Sequence, residues 1–410
     1  MNIAETIHEM AVKARAAASE LGKLSSEAKN AALEAIASKL EFDAAAIYAA
    51  NAIDVEKAKA AGIAPAMIDR LTLTEARFKA MVDGVRFVAS LPDPVGETIW
   101  TRERPSKIVI RKVRVPFGVV AVVFESRPNV FVDTAALCLK TGNAIILRGG
   151  KEAIESNKAL AKSVRAGLEA AGVTIDAVQL VETLDHAAVA ELVRAVGLID
   201  VAIPRGGERL IKAMCEAALI PVLKHYKGVC HIYVDDKADM AMALSILDNA
   251  KTQRPSVCNA AECLLVHEKL APMFLPMVKA WAADKGVVLH GLPGDEQGEV
   301  EWEREFLGLE LNVGIVADHT AAIEHINRYG SHHSDCIITG DEERAAEFLR
   351  DVDSSAVYHN VSTRFTDGAE FGMGAEIGIS TDKLHARGPM GLEELTTYKY
   401  RVTGDGIIRS

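Results

Sequence analysis

The sequence has 410 residues, of which 49% are hydrophobic and 25% charged, a balance that indicates a globular protein of two or three packed units. Its formal net charge of −11 argues against a nucleic-acid or anionic-membrane partner, because such partners require clustered positive charge. Six cysteines without regular spacing fit a reducing cytoplasm better than a disulfide framework, and the N-terminus lacks the apolar run of a signal peptide. We therefore expect a cytoplasmic protein.

The chain begins with an alanine-rich segment, Ile3–Val88, whose apolar residues recur at helical spacing. After a proline-rich break, Lys107–Val115 alternates apolar and basic residues, which is typical of a half-exposed strand pair. Thr396–Gly404 near the C-terminus has a similar pattern. The two segments are predicted to share one sheet, and an exposed strand of this kind invites pairing with another copy of the chain, so we expect a homo-oligomer.

An α/β repeat starts at the apolar run Phe117–Phe124, which suits a strand covered on both faces. A helix over Asn129–Leu139 is predicted to follow, and Ser156 is the expected N-cap of a second helix over Lys158–Ala171. Right-handed crossovers would arrange the strands of this region as a doubly wound sheet. Its further strands are predicted near residues 144–148, 178–181, 199–203 and 221–223.

A second α/β unit is predicted from His231 onward. Its first helix covers Asp236–Ala250, with Asp235 or Asp236 as the N-cap. The strands that follow are predicted near residues 264–267, 287–290, 313–316 and 336–339.

Two further features of this unit carry no expected chemistry. Gly291–Glu299 is interpreted as a polar surface loop. His332 and His333 are adjacent, and neighbouring side chains on an extended segment point apart, so we expect no metal site there.

A short polar loop carries Cys258 from the predicted helix to the strand near 264–267. A cysteine thiolate is well suited to form a covalent acyl intermediate near neutral pH, and Lys251 and Arg254 are placed to favour the thiolate. The alternative interpretation is a small buried hydrophobic residue, which is also what we expect of Cys263. The residue types alone leave both readings of Cys258 open.

The segment Pro204–Leu210 joins a predicted strand to a predicted helix and contains Gly206 and Gly207. Backbone amides at a helix N-terminus can hold a phosphate group. The alternative is that the glycine pair only permits a tight turn, and the three-glycine dinucleotide fingerprint is missing from the sequence.

The sequence resembles the aldehyde dehydrogenase superfamily, and within it the enzymes that reduce the acyl phosphate of glutamate for proline biosynthesis. The likeness covers essentially the whole chain and is carried by the stretches Val115–Asn129, Lys140–Glu152, Ile203–Gly207, Gln253–Ala260 and Leu384–Glu393. It implies an aldehyde-dehydrogenase-like α/β fold with two doubly wound α/β domains plus a β-hairpin oligomerisation element.

The resemblance also implies boundaries for these parts. The NADP-binding domain would comprise residues 1–105 and 117–230, and the catalytic domain residues 231–360. Residues 361–385 would return to line the active site, where the glycine-rich loop Glu370–Gly378 closes and Phe371 lines the site. The oligomerisation strands would be residues 106–116 together with 386–410.

The family's nucleophilic cysteine falls on Cys258. The implied reaction is attack of its thiolate on L-glutamyl 5-phosphate, loss of phosphate, and reduction of the resulting thioester by NADPH to L-glutamate 5-semialdehyde. The implied partners are this small-molecule substrate and, by channelling, glutamate 5-kinase, with no metal.

Two departures from aldehyde-oxidising relatives sharpen this expectation. Those relatives use a glutamate to activate water, and the alignment puts His225 in its place, so that water attack on the thioester should be slow. They also bind the adenosine ribose through a glutamate, where this chain has Arg148 and Lys151. Both cations would attract a 2′-phosphate, which favours NADPH; the alternative is that both side chains extend into water.

The remaining site residues follow from the same resemblance. Ser126 or Asn129 would donate to the oxyanion, and Arg127 and Arg254 would hold the phosphate. Gly206, Gly207 and Glu310 would contact the cofactor. The α-carboxylate would be recognised by Ser362, Thr363 and Arg364, although Arg364 has a structural ion pair as its alternative.

Two rival functions remain open at this stage. A conventional aldehyde-oxidising NAD(P) dehydrogenase would use the same cysteine without phosphate. A non-enzymatic scaffold on the same fold would have an unreactive Cys258, because fold alone does not give function.

Overall fold

The computed structural model describes residues 2–292 and 300–409, which divide into two compact units. The first unit contains residues 2–224, 373–378 and 390–409, and the second contains the described residues of 225–372 together with 379–389. The second unit thus begins at His225 rather than at the expected residue 231. Most of the predicted polar loop, residues 293–299, lies outside the described residues.

Five helices form the N-terminal part of the first unit, and the predicted helical segment is confirmed. Local caps fix the starts of three of them: Asn2 and Glu5 form a capping box at the first, and the side chains of Ser25 and Thr74 each accept a backbone N–H at the second and fifth. The helices are α1 (Ile3–Leu21), α2 (Ser26–Phe42), α3 (Ala44–Ala60), α4 (Pro65–Leu71) and α5 (Glu75–Ser90).

A three-stranded antiparallel sheet follows, made of β1 (Thr98–Glu103), β2 (Val109–Pro116) and β15 (Thr396–Thr403). The central strand β2 pairs with both others, so the predicted partnership of the two basic and apolar segments is confirmed. Tyr398, Tyr400 and Val402 on β15 are exposed. A subunit contact through this strand stays a prediction.

A four-stranded parallel sheet forms the core of the first unit, with strand order β5-β4-β3-β6. Its central strands are completely buried, which explains their continuous apolar sequence. The strands are β3 (Val119–Phe124), β4 (Ala144–Arg148), β5 (Val178–Leu180) and β6 (Val201–Arg205), and the helices α6 (Pro128–Lys140), α7 (Ile154–Ala170), α8 (Ala187–Arg194) and α9 (Glu208–Ala217). The strand predicted at 221–223 is reduced to one bridge between Ala202 and Val222.

The predicted cap at Ser156 is wrong. Helix α7 begins at Ile154, and Ser156 is a buried residue within its first turn. Both its backbone N–H and its hydroxyl donate to Asp54 at 2.7 Å, so a carboxylate from α3 satisfies the start of this helix. A tertiary contact of this kind cannot be seen in the local sequence.

The second unit is built on a six-stranded sheet with the order β12-β11-β7-β8-β10-β9. Its elements are β7 (Cys230–Val234), α10 (Met240–Thr252), β8 (Ala261–His267), α11 (Ala271–Lys285), β9 (Val288–His290), β10 (Glu310–Val316), α12 (His319–Tyr329), β11 (Ser334–Ile338), α13 (Glu342–Asp351) and β12 (Ala356–His359). Two short strands, β13 (Gly378–Ser380) and β14 (Gly388–Met390), pair with each other.

The N-cap of α10 is Asp239, not Asp235 or Asp236 as expected. The reason is that Asp235 is buried and accepts hydrogen bonds from Tyr233, Thr339 and Arg344. Among the described residues, no helix is both long and apolar enough to cross a bilayer.

Candidate active site

Cys258 lies in the loop between α10 and β8, and its side chain is partly exposed. Four of the other cysteines are buried, including Cys263, and the fifth, Cys215, lies on α9 in the first unit. The thiol of Cys230 donates to the Cys258 carbonyl at 3.2 Å. The loop also approaches Gly228 so closely that a Cβ there would lie 1.8 Å from the Cys258 oxygen, so only glycine fits at this position.

Asn259 anchors this loop to the segment that follows β12. Its amide nitrogen donates to the carbonyl oxygens of Arg364 at 3.3 Å and Thr366 at 2.9 Å. The Thr363 hydroxyl donates in return to the Asn259 carbonyl at 2.7 Å. Each bond is largely shielded from water, so the position of the neighbouring Cys258 is set by a network that joins two distant parts of the chain.

The structure changes the roles of Ser362 and Thr363, which were expected to hold the substrate carboxylate. Thr363 is fully buried and its hydroxyl is committed to Asn259. The Ser362 hydroxyl accepts the backbone N–H of Arg364 at 3.3 Å and starts a short 3₁₀ turn. Both hydroxyls therefore shape the loop, because local hydrogen bonds already occupy them.

Arg364 remains close to the thiol. Its guanidinium donates to the amide oxygens of Gln253, at 2.8 Å, and Asn259, so uncharged groups rather than the expected alternative of an ion pair hold it. Burial and the neighbouring Arg254 cation lower the pKa of Arg364. Two guanidinium groups that repel each other favour a bound anion, because its negative charge would offset the repulsion.

Two imidazoles lie beside the thiol. Single ligand atoms of His225, Cys258 and His333 all lie within 4.8 Å of one another, and the two rings meet edge to face at 5.6 Å between centroids. The Nδ1 of His225 is 2.9 Å from the Ile379 carbonyl. A carbonyl can only accept, so Nδ1 carries the proton and Nε2 holds the lone pair.

His225 was expected in the place of the water-activating glutamate, and the structure puts its imidazole near Cys258 in the second unit. Its effect on water attack stays a prediction. An imidazole beside a thiol can take its proton and then remains as a cation that favours the thiolate.

Lys251 does not have the role expected of it. The side chain is completely buried, and its Nζ donates to Glu262 Oε2 at 2.7 Å and to the Ala261 carbonyl at 2.9 Å. Burial raises the pKa of Glu262 to about 7, while Lys251 opposes the shift. The ammonium group is thus committed to a buried carboxylate, and Arg254, which is exposed, is left as the cation of this loop.

A cavity of about 300 Å³ lies in the first unit, at the carboxyl end of β4. Apolar side chains line one part of it, and Arg148, Lys151 and His186 bring nitrogen donors to another. Arg148 is buried, donates from Nη2 to the Leu184 carbonyl at 3.2 Å, and keeps a buried Nε without a partner. An unsatisfied buried donor beside an exposed lysine fits an anionic group such as a phosphate.

Ser126 belongs to the wall of this cavity, which changes its expected role as oxyanion donor. It has a left-handed backbone with φ 50°, and both its N–H and its hydroxyl donate to Glu152 at 2.7 Å. The hydroxyl is therefore engaged. Glu152 also places a carboxylate at the cavity. Burial lowers the pKa of Arg148, and this carboxylate opposes the shift.

The other predicted residues of the first unit have these positions. Asn129 lies in the first turn of α6 and donates to Asp133 at 2.8 Å, and Arg127 is the N-cap of the same helix.

Gly207 is the N-cap of α9, but its backbone N–H donates to Glu125 at 3.0 Å, so a carboxylate of the protein occupies the amide that was expected to bind phosphate. Gly206 faces the same carboxylate, since a Cβ there would lie 2.6 Å from it.

In the second unit, Glu310 begins β10 and pairs with His290 at 3.0 Å. Its expected contact with the nicotinamide ribose stays a prediction. Phe371, which was expected to line the site, is exposed, and it lies next to the end of the segment 225–372 of this unit.

Comparison with known proteins agrees with this architecture. The family model described as "Aldehyde dehydrogenase family" matches residues 2–290. The chain belongs to the aldehyde dehydrogenase family. As a member it is an oxidoreductase, the family implies a nicotinamide cofactor, and the non-enzymatic alternative is set aside.

Individual family members are similar over nearly their whole length. A protein of Desulforamulus reducens named gamma-glutamyl phosphate reductase is 50% identical, with 98% of this chain and 99% of that protein covered. The crystal structure of the gamma-glutamyl phosphate reductase of Thermotoga maritima is 42% identical over 98% of this chain and 100% of that chain, with a TM-score of 0.95. The one from Saccharomyces cerevisiae is 33% identical, covers 98% of both chains and has a TM-score of 0.56. The predicted aldehyde-dehydrogenase-like fold is confirmed.

Three polar residues next to predicted site residues were missed from the sequence. Asn259 directly follows Cys258, and a side-chain amide with both a donor and an acceptor at that place was the available signal. Glu152 stands in one of the stretches that carry the resemblance. His333 was discounted because its neighbour is His332, although only one of two adjacent side chains has to face a site.

The buried pair of Lys251 and Glu262 gives a testable prediction. Replacing Lys251→Met leaves Glu262 as a buried carboxylate without its cation and is expected to lower the free energy of unfolding by about 3–5 kcal/mol. Urea unfolding followed by circular dichroism measures the change. Arg254→Met, which alters an exposed residue of the same loop, is the control and should stay within about 0.5 kcal/mol. If Lys251→Met kept full stability but slowed alkylation of Cys258, Lys251 would act on the thiol after all.

Proposed function

We propose that this chain reduces L-glutamyl 5-phosphate to L-glutamate 5-semialdehyde and phosphate, the second step of L-proline biosynthesis, with Cys258 as nucleophile and NADPH as hydride donor. Relatives at 50% and 42% identity over 98% of the chain bear the name of this activity, which supports the assignment. The structural observation that carries it is a partly exposed thiol next to His225 and Arg364, on a loop that Asn259 fixes.

In the proposed reaction His225 takes the proton of Cys258. The thiolate forms a C–S bond to the acyl carbon, and the C–O bond to the phosphate breaks, so inorganic phosphate leaves with the bonding electrons. A bound nicotinamide supplies the hydride that reduces the thioester. Collapse of the C–S bond then releases the aldehyde and restores the thiolate.

Two guanidinium groups of the second unit, Arg254 and Arg364, are the residues we assign to the anionic groups of the substrate. Burial, and after it the repulsion from Arg254, lower the pKa of Arg364, and the phosphate or the α-carboxylate would relieve this repulsion. Arg127 of the first unit stays a further candidate for the phosphate. For the oxyanion we retain the amide of Asn129, since the Ser126 hydroxyl is held by Glu152.

The first-unit cavity is where we propose that the adenosine half of NADPH binds. Ile63, Met67, Leu71 and Leu184 offer an apolar surface for adenine, and Arg148 and Lys151 offer charge for the 2′-phosphate. Glu152 is turned to Ser126 by two hydrogen bonds, which fixes its carboxylate away from the role of a ribose acceptor.

The direct test of the reaction is NADP-dependent oxidation of L-glutamate 5-semialdehyde with and without inorganic phosphate. The wild-type chain should depend strictly on phosphate, because phosphate must cleave the thioester in this direction. Cys258→Ala should lose at least about 10³-fold in kcat, whereas Cys215→Ala, which changes the other partly exposed thiol, should keep it. Turnover without phosphate would favour the aldehyde-oxidising alternative, and normal turnover by Cys258→Ala would refute the mechanism.

The role of His225 predicts a pH effect on the thiol itself. An imidazolium beside Cys258 favours the thiolate, so His225→Asn, which keeps a donor for the Ile379 carbonyl and removes Nε2, should raise the pH midpoint of iodoacetamide alkylation by about one unit or more. Mass spectrometry of the Cys258 peptide gives the rate. The control is His332→Asn, whose parent Nδ1 lies 2.6 Å from the Asp353 carbonyl. An unchanged midpoint in His225→Asn would remove the proton transfer from the mechanism.

Lys151 tests the choice of cofactor. Lys151→Glu places a negative charge at the exposed edge of the cavity, where it would repel a 2′-phosphate, and should lower the ratio of kcat/KM for NADPH over NADH by about 10-fold or more. Lys158→Glu, a residue of α7 that does not line the cavity, serves as the charge control. Equal ratios in the wild-type chain and Lys151→Glu would exclude this residue from cofactor recognition.

A further inference from the structure

His333 is a buried residue that has no role in the proposed reaction. It is completely buried at the start of β11, in the second unit, and its Nε2 has no hydrogen-bond partner. Buried polar atoms in proteins nearly always have a partner, so an orphaned ring nitrogen calls for an explanation. Its ring lies edge to face against His225, and its ligand atom is within 4.8 Å of those of His225 and Cys258.

Both imidazoles are held in the orientation that a metal ligand needs. The Nδ1 of His225 donates to the Ile379 carbonyl at 2.9 Å. The Nδ1 of His333 lies 2.8 Å from the Ser334 hydroxyl, which in turn lies 2.6 Å from the Thr366 hydroxyl and can donate there while it accepts from His333. Each ring thus leaves Nε2 with its lone pair, and second-shell bonds of this kind are the usual support of ligating histidines.

The thiol of Cys258 would release one proton on binding a metal ion, as thiol ligands do.

We propose that His225, Cys258 and His333 form a site for a zinc ion that reversibly blocks Cys258. One thiolate and two imidazoles are the ligand set that Zn²⁺ prefers and that Mg²⁺ avoids, and a site with three protein ligands keeps a fourth position for water. Tetrahedral zinc brings such ligands to roughly 3.5 Å from one another, so the three groups, which lie within 4.8 Å, would draw together by up to about 1.3 Å. Cys258 is partly exposed, so its side chain can rotate toward the imidazoles while the Asn259 network holds the loop backbone.

A second cluster of possible metal ligands lies among the described residues, but we do not propose a metal site there. Asp235, Asp236 and His267 also cluster, but Arg344 already donates to both carboxylates and balances their charge. Near Cys258, by contrast, the orphaned nitrogen of His333 is buried, and its neighbours are a thiol and a second imidazole.

Metal binding at this site does not depend on the proposed reaction, but inhibition does, since it requires Cys258 to be the nucleophile. The thiolate cannot attack an acyl phosphate while its lone pair is shared with zinc. Zinc should therefore inhibit turnover and also protect Cys258 from alkylation, with both effects reversed by a chelator.

The test begins with chelator-treated protein titrated with Co²⁺ alone, followed by Zn²⁺ alone. We expect a near-ultraviolet thiolate-to-cobalt absorption band, its loss when one equivalent of Zn²⁺ per chain displaces the cobalt, and slower iodoacetamide alkylation of Cys258 in the presence of Zn²⁺. Neither readout requires catalytic activity. Mg²⁺ at the same concentrations should have no effect.

His333→Asn is the decisive variant, because asparagine can replace Nδ1 toward Ser334 but has no atom in the place of Nε2. It should weaken Zn²⁺ binding at least about 100-fold and lose the inhibition, with turnover in the absence of metal close to that of the wild-type chain. His332→Asn is the matched control and should keep both. Cys258→Ser, a change at a partly exposed residue, should lose the cobalt band and covers the case in which His333→Asn fails to fold.

Three results would overturn the site: no thiolate-to-cobalt band in the wild-type chain, equal Zn²⁺ affinity in His333→Asn, or zinc inhibition that is unchanged in His333→Asn. If zinc binds through His333 but turnover continues, the metal site stands and the role of Cys258 in the proposed reaction falls. If turnover depends on Cys258 and phosphate but ignores zinc, the reaction stands and the metal site falls.

Discussion

The hydrogen bonds of Asn259 are the constraint on which the chemistry of the second unit depends. The residue is adjacent to Cys258 and uses its amide and its backbone carbonyl to bind Arg364, Thr366 and Thr363 at once. A loop between a helix and a strand is ordinarily the least determined part of an α/β unit. Here the loop that holds Cys258 is bonded to a segment about a hundred residues further along the chain, and Gly228 packs against it from the other side. This arrangement holds Cys258 partly exposed yet in one place.

The two cations near this loop, Lys251 and Arg254, have different environments that the residue types alone do not predict. Lys251 and Arg254 stand three positions apart, and their sequence context makes both available to an anion. The helix instead turns Lys251 inward to the buried Glu262, while Arg254 stays exposed beside Arg364. Lys251 thus neutralises a buried carboxylate, which would be far more costly to leave alone than a solvated arginine, and Arg254 remains the cation that we propose for substrate.

The first unit shows the same division between structural and functional polar groups. Glu125 and Glu152 occupy backbone and hydroxyl donors that the sequence offers for phosphate and for an oxyanion. The donors that remain at the cavity are Arg148, with an unpartnered Nε, Lys151 and His186. Ligand atoms of two imidazoles lie within 4.8 Å of the Cys258 thiol, and both the proposed proton transfer and the proposed zinc site use them.

The α/β alternation, the helical N-terminal segment and the pairing of β2 with β15 could be predicted from the sequence, and the family resemblance adds the expectation that Cys258 is the nucleophile. These features are predicted by patterns of apolar residues and by contiguous motifs, both of which involve residues close together along the chain. Only the tertiary structure decided that Ser156 is bound by Asp54 rather than capping α7, that Ser126 and Thr363 are engaged by Glu152 and Asn259, that Lys251 is buried, and that His333 reaches Cys258. Each of these depends on a partner 11 to 104 residues away in sequence, or on which of two faces of an element a side chain occupies. The local sequence around a polar residue does not show which distant group it will bond to.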